Sequence, residues 1–174
     1  MTDILLDLVP EFQDKVRIVL KACAQAGFEL RPYTSLRSPD EQAILWRQSR
    51  AREQVRAQID TLRAEGAFFL AACIERVGPH SGRHVTNAIP GLSWHQWGEA
   101  VDCVVIDGGK AIWDTDHPGW AAYGKAAQQA GLEAGMFWKF KDSPHVQLRT
   151  AASPSSAGIS IVEVDRIMRE RWGG

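Results

Sequence analysis

Apolar residues at Phe12, Val16, Val19, Leu20 and Cys23 recur every three or four positions, which predicts an amphipathic helix. Pro10 stands at its first turn and Gly27 just past its end, the positions each residue type favours. Leu30 to Ser35 then reads as a short strand, restricted by Pro32 to a sheet edge. Ser38-Pro39-Asp40-Glu41 is a helix start with a capping box. Helical periodicity runs from there through Trp46 toward Val77, carried by Val55, Ile59, Leu62, Phe69, Cys73 and Ile74, with a break at Gly66. Gly78 to Gly91 is too rich in proline and glycine for regular structure.

The second half of the chain changes period. Ala100 to Ile106 is a buried-strand run, Asp107-Gly108-Gly109-Lys110 a hairpin signal, and Ala111 to Trp113 its second strand. Pro118 to Ala130 predicts a helix closed by Gly131, and two short strands follow near Met136 to Phe140 and His145 to Leu148. Thr150 to Gly158 is a Pro/Ser/Ala linker, after which Ser160 caps a last helix over 160–172. The reading is α+β, a small and mainly antiparallel sheet flanked by helices, in one domain spanning 1–174.

Composition narrows the function. Twenty basic against 21 acidic side chains leave a net charge of −1, which argues against a nucleic-acid or membrane-surface binder. Arg47, Arg50, Arg52, Arg56 and Arg63 are interleaved with Glu53, Asp60 and Glu65, the pattern of a solvated, salt-bridged face. The longest apolar run, Ala67 to Ile74, is far too short to span a bilayer, and Met1 to Val9 reads as no export signal. Synthesis in the cytoplasm is the expectation. Cys23, Cys73 and Cys103, widely spaced, read as buried thiols.

Two segments carry chemistry: Ser93 to Asp102 and Asp142 to Gln147. His95 closes a loop, Asp102 falls in an apolar strand where a bare carboxylate is costly, and His145 opens another strand. A divalent cation would offset that cost, and His, Asp and His are a catalytic zinc's usual kind of donor set. Asp142, held in the preceding loop by Ser143-Pro144, can stay off the metal and act as a base toward attacking water. His80 and His84 flank Gly82 in a loop, His117 precedes Pro118 at a helix start, and Cys103 points away from Asp102; none joins this set. Glu99 is a weaker base candidate than Asp142. Trp46, Trp113, Trp120 and Trp172 suit core positions, while Trp94, Trp97 and Trp138 are candidates for cleft walls.

The pattern SxHxxGxAxD, followed some forty residues on by DxPH, resembles the zinc peptidases of peptidoglycan stem peptides. These are the D-alanyl-D-alanine carboxypeptidases and dipeptidases and the L-alanyl-D-glutamate endopeptidases, which share a fold with the N-terminal domain of hedgehog proteins. Tyr33 to Gln42 resembles the family's strand-to-helix segment with its substrate-binding arginine, so the likeness covers about 30–148. The resemblance implies one Zn2+ per chain on His95, Asp102 and His145, with Asp142 as general base. It implies Arg37 as a cation toward the substrate or the developing oxyanion. Substrate contacts would fall to Gln42, Ser93 (unless it only orients its loop), Trp94 and Trp138.

The endopeptidase branch is the nearer likeness, which implies a monomeric, phage-type endolysin. Its substrate would be the stem peptide and its access to the wall would come through a separate lysis protein, with no membrane insertion of its own. The alternatives are a D-alanyl-D-alanine carboxypeptidase or dipeptidase, and a non-catalytic zinc domain that binds wall peptide or protein.

Overall fold

A computed structural model describes residues 3–174; Met1 and Thr2, part of the segment read for an export signal, lie outside the described residues. It contains six α-helices and a five-stranded antiparallel sheet. The described residues group into two compact units. One runs to Leu36 and includes Trp97–Thr150; the other comprises Arg37–Gln96 and Ala151–Gly174.

The first unit holds the sheet. Helix α1 (Pro10–Gln25) begins at the expected proline, and Gly27 follows it at φ 86°. Strand β1 (Glu29–Thr34) pairs with β2 (Ala100–Asp107), which turns through Gly108 and Gly109 into β3 (Lys110–Ile112). Helix α5 (Pro118–Gln129) leads to the two-residue β4 (Glu133–Ala134) and then β5 (His145–Gln147). Strand order is β1-β2-β5-β4, with β3 beside the far end of β2. The proline-bearing β1 is therefore at an edge, as its missing N–H requires. Phe12, Val16, Trp120 and Tyr123 from the helices pack with Val101, Cys103 and Val105 of β2, all buried.

Two expectations are corrected in this unit. Met136 to Phe140 is no strand: Gly135–Phe137 form a 3-10 turn, and the short pairing segment lies earlier, at Glu133–Ala134. Gly135 admits that turn because a Cβ there would meet the Asp142 carbonyl at 2.5 Å. Trp113 is not core but 59% exposed, set edge-on to Tyr33 with ring centroids 5.4 Å apart.

The second unit is helical. Helix α2 (Pro39–Arg47) starts with the expected capping box, Ser38 Oγ accepting from the Glu41 N–H while Glu41 accepts from the Ser38 N–H. The long helical stretch divides into α3 (Arg52–Ala64) and α4 (Phe68–Arg76). Gly66, at φ 86°, makes the foreseen break. The break after Arg47 was not foreseen, since no glycine or proline marks it. One long-range and two local bonds hold it: Arg50 donates to the Thr86 carbonyl and to that of Trp46, and Gln54 reaches back to accept from the Ala51 N–H. Arg63 pairs with Glu75 of α4, outside the interleaved acids expected to serve the arginines. Helix α6 (Ile161–Trp172) packs on α4, where the buried Asp165 accepts from the Leu70 N–H at 2.9 Å. Among the described residues no helix is long and apolar enough to cross a membrane.

Candidate metal centre and catalytic carboxylate

Asp102 and His145 are cross-strand partners. Alternation along β2 sends Val101 and Cys103 into the helix-packed core, so Asp102 emerges on the opposite face. Antiparallel pairing of β2 with β5 sets His145 directly across from it. The His145 Nδ1 to Asp102 Oδ1 distance is 3.1 Å. That is close to the ~3.3 Å edge of a tetrahedron with bonds of about 2.0 Å to a central zinc.

The other ring nitrogen is also engaged. Nε2 of His145 lies 3.1 Å from Oε1 of Gln147, two residues along β5 on the same face. The amide of Gln147 donates to the carbonyl of Arg149, which turns its oxygen toward the histidine. Nε2 is therefore an N–H donor, and Nδ1, turned to Asp102, is the nitrogen that would face a metal. Gln147 has no counterpart among the residues expected from the sequence. The cue was an alternation, a polar residue two places from His145 in a strand buried along its length.

His95 sits in a 3-10 turn, Trp94–Trp97, that the flanking residues hold. Ser93 Oγ accepts from the His95 N–H at 3.4 Å, and the Gln96 side chain accepts from the Ser93 N–H. Of the two roles open to Ser93, orienting the loop is the one these bonds perform. The carbonyl of His95 accepts from the Arg37 N–H. One ligand atom each from His95, Asp102 and His145 lie within 4.8 Å of one another. Two imidazoles and one carboxylate suit zinc, and the set fits one divalent ion.

Asp142 is exposed at the end of the turn that precedes β5. Its N–H donates to the Gly135 carbonyl at 3.0 Å, and its own carbonyl accepts from the His145 N–H at 3.1 Å. The backbone that carries the carboxylate is thus held on both sides. Burial of His145 works to lower its pKa, but the hydrogen bond and charge of Asp102, the charge of Asp142 and the Gln147 contact outweigh it and raise it. The same negative field favours a dication.

Glu99, the competing base, is committed elsewhere. Both its oxygens accept from the Arg149 guanidinium, at 2.6 and 2.8 Å. Trp138 lies over His145 with ring centroids 5.2 Å apart, and its indole N–H donates to Glu133.

Two expected substrate contacts are corrected. Gln42 is fully buried: its oxygen accepts from Arg37 and Gln96 and its amide donates to the Ala88 carbonyl, so it positions Arg37. Trp94 is 3% exposed and its indole N–H donates to the Ala151 carbonyl, which makes it a packing residue. His80 and His84 are exposed in a loop, bonded to the Val77 carbonyl and to Ser49. His117 caps α5 through its Nδ1, as its place before Pro118 suggested.

This fold and this set of side chains define a class: α+β proteins in which a sheet-borne aspartate and histidine, with a second histidine from a 3-10 turn, could hold a metal ion. The profile of one such family, described as VanY: D-alanyl-D-alanine carboxypeptidase, matches residues 6–153. The chain belongs to this family and is a peptidoglycan peptidase. The crystal structure of Serratia marcescens L-Ala D-Glu endopeptidase ChiX is similar at 23% identity, over 83% of each chain, with a TM-score of 0.45.

Proposed function

We propose that the protein is a zinc-dependent endopeptidase that hydrolyses the L-alanyl-D-glutamate bond of peptidoglycan stem peptides. The observation that supports metal-dependent hydrolysis is the proximity of candidate ligand atoms from His95, Asp102 and His145, with Asp142 three residues before the last of them. The choice of bond rests on the likeness of the motifs to the endopeptidase branch. A bound zinc ion supplies Lewis acidity toward the scissile carbonyl and makes water a better acid. Asp142 accepts a proton from the attacking water and returns it to the leaving amine. Arg37, steadied by Gln42, brings positive charge to the oxygen that becomes anionic. Trp138 forms a wall beside His145 for the peptide. On this reading the enzyme acts as a monomer and a phage-type endolysin, reaching the wall through a separate lysis protein.

A second reading, removal of the terminal D-alanine, is favoured by the description of the matching family. Digestion of defined muropeptides, with product masses read out, separates the two. The endopeptidase releases muramyl-L-alanine, whereas loss of one D-alanine selects the carboxypeptidase. Metal content is the parallel test: the purified protein should hold one zinc per chain. His95→Ala, Asp102→Ala and His145→Ala should each lose it. A wild type that holds zinc but cleaves no muropeptide would leave the wall-binding alternative.

A further inference from the structure

The turn that presents Asp142 has a second, outward side that the chemistry above does not use. Its base is closed by hydrogen bonds from the N–H groups of Trp138 and Asp142 to the Gly135 carbonyl. Inside, Trp138 is held by Glu133 and lies over His145. On the helix side, the Phe137 ring touches Gly124 of α5 so closely that a Cβ there would stand 2.9 Å from it. The tip that remains is Lys139-Phe140-Lys141, all three exposed. Phe140 is 84% exposed, the highest value for a large apolar side chain among the described residues. Its near neighbour is the Lys139 ammonium, 5.8 Å from the ring centre.

The braced turn holds an aromatic ring in water with a lysine on each side of it in sequence, side chains that suit an amphipathic, anionic partner. We propose that Lys139, Phe140 and Lys141 dock the polymeric wall substrate next to the reaction centre. This rests on the peptidoglycan reading above. The ring packs on the C–H face of an N-acetyl sugar, and the two ammonium groups pair with free carboxylates of neighbouring stem peptides. Charge complementarity supports this occupant, because the chain as a whole is at −1 and offers no general field for an anionic polymer. Position supports it too. Asp142 directly follows Lys141, so the tip and the proposed base belong to one braced turn. An anionic lipid surface fits less well, since two lysines fall short of the clusters that such surfaces need.

The test uses the full-length, zinc-loaded protein, Phe140→Ala, and the double variant Lys139→Glu/Lys141→Glu. Co-sedimentation with purified sacculi needs no catalysis, and the bound fraction should fall at least fivefold in both variants. The ratio of hydrolysis rates on sacculi and on a free stem peptide should fall about tenfold, and added salt should weaken wild-type binding more than that of the lysine variant. Unchanged sedimentation, or equal loss on both substrates, overturns the proposal. So does wild-type binding to phosphatidylglycerol vesicles that Phe140→Ala abolishes while sacculus binding stays intact. Wild-type failure to cleave the free peptide would count against the function reading alone, because sedimentation still reports on the tip.

Discussion

His145 and Gln147 stand 3.1 Å apart, Nε2 to Oε1, on one face of a three-residue strand. The Arg149 carbonyl fixes which way the glutamine amide points, so the contact fixes the tautomer of the ring as well. Removing the acceptor takes away the Nε2 partner and one of the two polar contacts that orient the imidazole. Gln147→Leu should weaken zinc binding by about 10- to 100-fold, the usual cost of losing such a partner. Gln147→Glu keeps an acceptor and should restore most of the affinity. Competition with a metal-sensitive chelator measures both, and equal affinities for all three proteins would remove Gln147 from the site's design.

On the proposed mechanism Asp142 moves the proton and leaves the metal to His95, Asp102 and His145. Asp142→Ala should therefore keep about one zinc per chain while turnover falls by about 10²- to 10⁴-fold, the range for a lost general base. Gly135→Ala reaches the same carboxylate through the backbone, because the new Cβ would collide with the Asp142 carbonyl. It should lower turnover while zinc content holds. Metal analysis and hydrolysis of one muropeptide, run on the same preparations, check both variants.

The local code carried much of the fold. Proline and serine starts, the Gly27 and Gly66 stops and the Gly108-Gly109 hairpin all act within a few residues, so they can be read from a chain alone. The juxtaposition of Asp102 and His145 followed because alternation on β2 and a histidine opening β5 needed only the strands to be neighbours. Tertiary interactions hid the rest. The break after Arg47 depends on a guanidinium bound to a carbonyl 36 residues away. Gln42 looked like a substrate contact because an amide suits either role, and only burial against Ala88 and Gln96 decides between them. Trp94 and Trp113 exchanged their expected places for a similar reason. Indole favours neither core nor surface by itself, and the Ala151 carbonyl draws one inward while the Tyr33 edge leaves the other outside.

Asp165 ties the last helix to α4 through a hydrogen bond that spans 95 residues of sequence. Its carboxylate caps an N-terminal amide of α4, where the helix dipole also favours negative charge. Asp165→Ala leaves the Leu70 N–H buried and unpaired, at a cost of about 1–3 kcal/mol. For a chain of this size that lowers the melting temperature by roughly 2–12 °C, at about 2–4 °C per kcal/mol. Calorimetry on the zinc-loaded protein should show this drop while its turnover at 25 °C stays near wild type. A melting temperature within a degree of wild type would deny the cap any weight.

The three thiols give a pH dependence of definite sign. Burial pushes Cys23 up to about 11 and Cys73 and Cys103 up to about 12, from an ordinary value of 9.0. Below pH 9 the thiols are protonated in both folded and unfolded chains, and they cost the fold nothing. Above it the unfolded chain ionises while the native thiols hold their protons, so stability falls as pH rises from about 9 toward 11 to 12. Native protein at pH 8 should accordingly resist a thiol-specific reagent and release three equivalents only on denaturation. Cys103→Ala lowers stability at every pH through its cavity, yet the slope of stability against pH between 9 and 11 should become shallower by one proton's worth. Urea unfolding at pH 8.5, 9.5 and 10.5 reads that slope independently of the offset, and identical slopes would mean that Cys103 ionises in the native protein as readily as in the unfolded chain.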